Sequence, residues 1–342
     1  MKVARLHGAG DVRLADAPTP TVGPGEELVR VDSVGICGSD LHWFTEGGIG
    51  DARLDEPLVI GHEMAGTVVG GDRDGQRVAI DPAIPCRACT SCREGDVNLC
   101  PAILFAGHGG TDGGLRELLT WPGELLHPLP DVVSDDDGVM LEPLGVAIHA
   151  LDLGHLAIGG SVVVVGCGPI GLLLVQLARI AGATHVLAIE PLEHRRDAAL
   201  RLGADDALAG TDGIEEVVAA RTGGRGYDLG FEVTHVEDGV EPALRAVRPG
   251  ARVVLVGIPD GDRTTFPASL ARRKGLTLVL ARRMQEPYPR AIELVEHGRI
   301  DVRSIVTHRF GLDEVAEALA TASARRGGKV VVHPTAPRAH EG

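Results

Sequence analysis

The chain has 342 residues, a size that favours two domains with enough buried surface to fold without disulfides. Its formal net charge of −15 argues against a nucleic-acid partner, because phosphate binding needs clustered basic residues. We see no secretory leader pattern and no apolar run long enough to cross a membrane, so we expect a cytoplasmic protein without a membrane partner.

The first part of the chain, to about residue 145, is predicted to be mainly β structure. Short alternating runs, such as those at 28–31 and 66–69, are separated by frequent Pro and Gly, which is typical of strands joined by turns.

From residue 161 the pattern changes to that of an α/β domain. Four valines at 162–165 predict a buried parallel strand, and the segment 172–181 predicts a helix. Further strands are predicted at 186–189, 228–233 and 252–256, with helices between them. This alternation indicates a doubly wound parallel sheet of the Rossmann type.

The last part of the chain predicts a helix at 291–297, a strand at 305–307, a helix at 312–322 and a strand at 329–332. This piece is too short to hold its own core, so we expect it to complete the first domain. The predicted domains are 1–146 with 284–342, and 147–283. Residues 334–342 are predicted to form a disordered tail.

A glycine pattern predicts where a dinucleotide binds. The G-x-G-x-x-G spacing at 166–171 follows a strand and opens a helix, and Glu190 ends the next strand, where an acidic side chain accepts from ribose hydroxyls. A carboxylate there repels a 2′-phosphate and favours NAD over NADP, although Arg195 and Arg196 weaken that preference. The predicted cofactor-binding residues are Gly166, Gly168, Pro169, Ile170, Gly171, Glu190 and Arg195.

Four cysteines with the spacing C-x2-C-x2-C-x7-C predict a structural zinc site. Cys86, Cys89, Cys92 and Cys100 can close tetrahedrally around one ion and leave no position for a substrate. The alternative, a run of unligated buried thiols, does not suit a segment this rich in charged residues.

A second, open metal site is predicted from Cys37 and His62. Each alone could be an ordinary buried residue, but together with nearby carboxylates they supply the residue types of a catalytic zinc. Glu63 and Glu142 are both candidates for the third ligand, and the sequence leaves that choice open.

Three polar residues close to Cys37 are predicted to assist the metal site. Asp40 can hold the imidazole of His62, Ser39 supplies a hydroxyl near the metal, and His42 is suited to carry a proton on the solvent side.

These motifs together resemble the zinc-dependent medium-chain alcohol dehydrogenases over nearly the whole chain. The resemblance rests on the strings at 35–42, 61–63 and 142–144, the four-cysteine lobe and the glycine pattern. Within that family, the strings at 37–43, 47–51 and 306–310 are similar to those of the polyol dehydrogenases for sorbitol, xylitol and L-idonate.

The resemblance implies a GroES-like, mainly β catalytic domain and a Rossmann cofactor domain. It implies that Cys37, His62 and Glu63 are ligands of the catalytic zinc, with Glu142 either a ligand or bonded to the zinc-bound water. Ser39 and His42 fall on the family's proton relay, and Arg283 falls on a substrate-contacting position, although its local sequence departs from the family pattern. Bacterial members suggest a homo-oligomer, with a tetramer favoured over a dimer.

The predicted function is therefore that of an oxidoreductase with two zincs per chain. We expect it to oxidise a secondary alcohol of a polyol, sugar or sugar acid to a ketone, with hydride transfer to NAD. One alternative is an enzyme similar to L-threonine 3-dehydrogenase, and another is a catalytically silent NAD-binding scaffold that keeps only the structural zinc.

Overall fold

The computed structural model describes residues 1–335, and the chain divides into two compact units. The first unit contains Met1–Pro143, Tyr288–Gly298 and the described part of Val302–Gly342. The second contains Leu144–Pro287 and Arg299–Asp301.

The first unit is mainly β, as the sequence predicts. Its strands are β1 Lys2–Gly8, β2 Asp11–Asp16, β3 Glu26–Gly35, β4 Gly48–Ile49, β5 Ala52–Arg53, β6 Glu63–Val68, β7 Arg77–Ile80, β8 Ala83–Ile84, β9 Leu104–Phe105, β10 Leu118–Pro122, β11 Leu126–Pro128, β18 Val306–Gly311 and β19 Lys329–His333.

A seven-stranded sheet is the frame of this unit. Its order is β11-β7-β6-β3-β19-β18, and β10 also pairs with β3. The central strand β3 runs antiparallel to both β6 and β19. The carboxyl end of β3 therefore lies beside the amino ends of its two neighbours, and the candidate site is built around these ends.

Helices occupy the connections of the first unit. They are α1 Gly38–Glu46, α2 Thr90–Glu94, α3 Asp135–Val139, α10 Tyr288–Glu296 and α11 Val315–Ser323, and α4 Leu141–Gly154 contains the division between the units. Apolar side chains from the strands and from α11 form the core, with Trp43, Ile60 and Met64 among the buried members.

The second unit is the predicted doubly wound sheet. Its strands are β12 Ser161–Val165, β13 His185–Ile189, β14 Asp206–Leu208, β15 Tyr227–Glu232, β16 Val247–Leu255 and β17 Thr277–Leu280. All neighbours pair in parallel, in the order β14-β13-β12-β15-β16-β17. Its helices are α5 Pro169–Ile180, α6 Glu193–Arg201, α7 Ile214–Thr222, α8 Val240–Ala246 and α9 Ala268–Lys274.

Two sequence predictions need correction. Helix α5 begins at Pro169, three residues before the predicted start, because proline suits the first helical position, where its missing N–H is not needed. The predicted disordered tail is wrong for its first two residues. Pro334 is buried, and Thr335 hydrogen-bonds the Val31 carbonyl and Asp32. The rest of that predicted tail, 336–342, lies outside the described residues.

Within the described residues we find no helix with the length and apolar character needed to span a bilayer.

Candidate functional site

The predicted open metal site comes together in the first unit. Cys37 lies just beyond the end of β3 and precedes helix α1, while His62 lies directly before β6 and Glu63 is its first residue. One ligand atom from each of the three residues lies within 4.8 Å of the others. A thiolate, an imidazole and a carboxylate at this spacing fit the donor set of a zinc with an open fourth position.

Asp40 organises two of these three ligands. It is 2% exposed, and its Oδ1 lies 3.3 Å from Nδ1 of His62 and accepts from the Gly61 amide at 3.0 Å. Its Oδ2 accepts from the Cys37 amide at 2.9 Å. The predicted pairing with His62 is confirmed, and it leaves Nε2 of that ring as the atom that can bind a metal.

Neighbouring charges shift the pKa values of Asp40 and His62 in opposite directions. Burial acts to raise the pKa of Asp40, but His62 and the two amide donors outweigh it and the pKa is lowered. Burial acts to lower the pKa of His62, but the Asp40 carboxylate and the Cys37 sulfur raise it well above its ordinary value. The pair therefore behaves as an ion pair when no metal ion competes for the imidazole.

The absence of a side chain at Gly35 leaves room for the Glu63 carboxylate. Gly35 and Glu63 face each other in the ladder between β3 and β6, and a Cβ on Gly35 would overlap the Glu63 carboxylate. The glycine therefore lets the fully buried Glu63 side chain lie close to the backbone of β3.

Glu142 lies outside this ligand cluster. Among the described residues, the group whose ligand atoms meet within 4.8 Å contains Glu63 and not Glu142. Burial raises the pKa of Glu142 to about 7, with Glu63 adding to the effect and His62 opposing it. The geometry thus favours Glu63 as the third ligand and leaves Glu142 as a buried carboxyl group that can hold a proton near neutral pH.

The two predicted relay residues lie on helix α1. The Ser39 hydroxyl is 3.4 Å from Nε2 of His62, so it lies beside the position a metal would take. His42 is 8% exposed rather than open to solvent, and its Nδ1 lies 2.8 Å from the carboxylate of the exposed Glu46. Their spacing of three residues places Ser39 and His42 on the same face of the helix.

Arg283 belongs to the second unit, not to the unit that holds the metal ligands. It is half-buried and has a φ of +53°, an uncommon backbone conformation for a residue other than glycine. Its role in substrate contact stays a prediction.

The four lobe cysteines also converge. Their sulfur atoms lie within 4.8 Å of one another, and all four are free of disulfides. Backbone amides point at three of the sulfurs, with N–S distances of 3.4 to 3.5 Å. The amides of Ala88 and Cys89 lower the pKa of Cys86 to about 6, which favours the thiolate form that binds zinc.

The glycine loop has the local structure needed for a dinucleotide. Gly166 has a φ of +90°, and a Cβ on Gly171 would overlap the Gly166 carbonyl oxygen. A Cβ on Gly168 would meet no backbone atom beyond its own neighbours within 4 Å, and the atom nearest to it is a guanidinium nitrogen of Arg195, at 3.8 Å. The glycine loop at the start of α5, with the Arg195 guanidinium beside it, suits a pyrophosphate.

Glu190 is joined to this loop. It is 4% exposed, and its carboxylate accepts from the Cys167 amide at 2.8 Å and from the Leu192 amide at 3.0 Å. The Arg196 guanidinium donates to the backbone carbonyls of Glu190 and Pro191, whereas Arg195 reaches towards the loop. Of the two arginines, Arg195 is therefore the one positioned to meet a phosphate group.

Lys329 is a functional candidate that the sequence reasoning missed. It opens β19, is 3% exposed, and donates to both oxygens of Glu63 at 2.6 and 2.5 Å. A lysine directly before the buried apolar run Val330–Val332 was the available signal, because a buried ammonium group needs an acidic partner.

Family models match both parts of the chain. The model for the alcohol dehydrogenase GroES-like domain matches residues 23–131, and the model for zinc-binding dehydrogenases matches residues 169–297.

Full-length relatives agree with these matches. A sorbitol dehydrogenase of Bombyx mori is 35% identical over 96% of this chain and 97% of its own length. The human sorbitol dehydrogenase is 34% identical over 96% of this chain and 94% of its own length. The chain belongs to the zinc-dependent medium-chain alcohol dehydrogenases. Within that family it is polyol dehydrogenase-like, and it is an oxidoreductase with a GroES-like and a Rossmann part.

Solved structures with a similar fold extend the comparison to cofactors. L-idonate 5-dehydrogenase of Escherichia coli has a TM-score of 0.88 and 27% identity, with 97% of each chain covered. A zinc-binding dehydrogenase of Sinorhizobium meliloti bound to NADP has a TM-score of 0.87 and 30% identity, covering 97% of this chain and 99% of that chain. A structure described as a short chain alcohol dehydrogenase of E. coli CFT073, complexed with NADH, has a TM-score of 0.87 and 27% identity, covering 97% of this chain and 99% of that chain.

Proposed function

We propose that the chain oxidises a secondary alcohol of a polyol, sugar or sugar acid to a ketone, using one catalytic zinc and NAD. The carbinol carbon gives a hydride to NAD, and the hydroxyl oxygen gives up its proton. The observation that carries the proposal is the convergence of Cys37, His62 and Glu63 within ligand distance of one another. The names of the relatives, sorbitol dehydrogenase and L-idonate 5-dehydrogenase, support the substrate class.

When bound, zinc supplies Lewis acidity at the substrate hydroxyl and NAD supplies the hydride acceptor. Asp40 fixes the ring of His62 through Nδ1 and the start of helix α1 through the Cys37 amide. Two of the three ligands are therefore oriented by one buried carboxylate before substrate binds.

Ser39 and His42 move the substrate proton in this proposal. The Ser39 hydroxyl lies beside Nε2 of His62, where it can accept the proton of the alcohol. His42 lies on the same face of α1 and contacts Glu46, which is exposed and can pass the proton to water.

A second zinc in the four-cysteine lobe is part of the proposal. The converged sulfurs and the amides that point at them support it, because four thiolates close a tetrahedral site and leave no ligand position for a substrate. This zinc stabilises a lobe that has few apolar residues of its own.

NAD is proposed over NADP because of Glu190. Its buried carboxylate lies beside the glycine loop, where it accepts from ribose hydroxyls and repels a 2′-phosphate. Arg195 is the residue that opposes this preference. Glu190→Ala should therefore raise the ratio of NADP to NAD activity, and an unchanged ratio would remove this residue from cofactor selection.

The function is tested with a substrate panel. Sorbitol, xylitol, L-idonate, threonine and ethanol are each offered with NAD and with NADP, and reduced cofactor is followed by absorbance. We expect polyols or sugar acids with NAD to give the highest turnover. Cys37→Ser is the matched inactive control, since it removes one ligand and should abolish turnover while leaving NAD binding intact.

Two other outcomes would change the conclusion. Preferential oxidation of threonine would indicate an enzyme similar to L-threonine 3-dehydrogenase. One zinc per chain, with no turnover on any alcohol, would indicate a silent scaffold.

A further inference from the structure

The ion pair between Lys329 and Glu63 lies within the proposed metal centre. Lys329 Nζ makes three hydrogen bonds, two to the Glu63 carboxylate and one to the Ile36 carbonyl oxygen at 3.2 Å. All three ammonium hydrogens are therefore used, and each oxygen of the proposed zinc ligand accepts one hydrogen bond from this lysine.

The sheet brings these two residues together by the direction of its strands. Glu63 opens β6 and Lys329 opens β19, and both strands run antiparallel to β3, which lies between them. Cys37 follows the end of β3, so the lysine, the acid and the thiol meet at one end of three neighbouring strands. Their meeting is a consequence of the strand order.

Burial makes this charge pair energetically important. Glu63 is 0% exposed and Lys329 is 3% exposed. A buried carboxylate that loses its cation is strongly destabilising, and a buried pair adds little stability over apolar residues of similar volume.

A divalent cation at Cys37, His62 and Glu63 would be a second compensating charge for the same carboxylate. The lysine and the cation repel each other and share two oxygens. Without metal, Lys329 is what neutralises Glu63. When a metal ion binds, the positive charge of Lys329 repels it and weakens its binding.

We propose that Lys329 is a positioning residue that holds Glu63 in the metal-free protein and limits how tightly the catalytic centre binds zinc. The inference rests on the proposed function, because it takes Cys37, His62 and Glu63 to be a metal site. It assigns to Lys329 the task of keeping a buried ligand oriented while the metal is absent.

The experiment compares wild type with Lys329→Met and Lys329→Arg. Each protein is stripped of metal, titrated with Zn²⁺ against a chelator, and followed by thermal unfolding with and without Zn²⁺. The four-cysteine lobe binds zinc in the same molecule and serves as an internal control for the titration.

We expect Lys329→Met to unfold at a lower temperature than wild type without zinc, and zinc to remove most of that difference. Zinc affinity at the Glu63 centre should rise at least tenfold, while the lobe's affinity is unchanged. Lys329→Arg keeps the positive charge and can pair with both Glu63 oxygens, so its zinc affinity at this centre should stay that of wild type.

A purely structural role predicts a different result. Zinc would then raise the unfolding temperature of Lys329→Met and wild type equally, and affinity at the centre would be unchanged or weaker; either result overturns the proposal. If Lys329→Met does not fold without metal, Lys329→Gln is used, since it keeps a hydrogen-bond donor without the charge. Folding of these variants only with zinc supports the proposal, and no folding even with zinc overturns it.

These readouts do not depend on alcohol oxidation. A zinc-linked stability that behaves as expected in a protein that oxidises no alcohol would refute the proposed function alone. Turnover of a polyol with no effect of Lys329 on zinc binding would refute this inference alone.

Discussion

Replacing Asp40 with asparagine should weaken zinc binding at the catalytic centre. Asp40 accepts three N–H groups, from the Cys37 amide, the Gly61 amide and the His62 ring. An asparagine has the same shape but only one oxygen, so it must turn an NH2 group towards at least one of these donors.

The magnitude follows from these contacts. At least one buried N–H loses its acceptor, which costs about 1–3 kcal/mol of folding free energy. His62 also loses its anionic partner, and removal of such partners typically weakens metal binding by about 10–100-fold. That range corresponds to about 1.4–2.7 kcal/mol of zinc binding free energy.

The assay is a titration of metal-free protein with Zn²⁺ against a chelator, together with thermal unfolding. Asp74→Asn is the matched control, because Asp74 accepts from the Gly70 amide at 2.7 Å in an exposed turn of the same unit. The control should keep the zinc affinity of wild type. Zinc binding by Asp40→Asn as tight as that of this control would refute the argument that Asp40 orients the ligands.

Three further predictions test the lobe, the glycine loop and the acid stability of the second unit. Cys89→Ser should remove one zinc per chain and lower the unfolding temperature, as measured by metal analysis and calorimetry. Gly171→Ala should weaken NADH binding at least tenfold by fluorescence titration, because its Cβ would overlap the Gly166 carbonyl, whereas Gly210→Ala, with nothing within 4 Å, should have no effect. Burial acts to raise the pKa of Asp228, but hydrogen bonds from an arginine and a serine lower it below 3.8. Its stabilising effect is therefore present above pH 4 and lost as pH falls further, so Asp228→Asn should lower the free energy of unfolding by about 1–2 kcal/mol at pH 7 and by less at pH 3.

Much of the second unit could be predicted from sequence because its strands are buried on both faces. The valines at 162–165 and the apolar run at 186–189 fall in β12 and β13. The edge strand β17 was missed, since Leu280 is 77% exposed and the strand lacks both the alternation and the continuous burial that mark a strand in sequence.

The residue types of the candidate site were predictable, but not which carboxylate lies beside Cys37 and His62. Cys37 and His62 follow from the motif, yet sequence spacing does not decide between Glu63 and Glu142, because both could reach a metal. Glu63 lies beside Cys37 and His62 because the ladder between β3 and β6 sets it opposite Gly35. Such pairing joins residues that are far apart in sequence.

The partner of Glu63 is the clearest case of such a contact. Lys329 reaches Glu63 only because β19 lies on the other side of β3 from β6. A single sequence does not give this strand order, so it does not identify Lys329 as the partner. A buried ion pair is a weak source of stability, since apolar residues of similar volume would serve the core as well or better. Its presence beside Cys37 and His62 is explained more economically if the acid is needed as a metal ligand and the lysine is needed whenever the metal is absent.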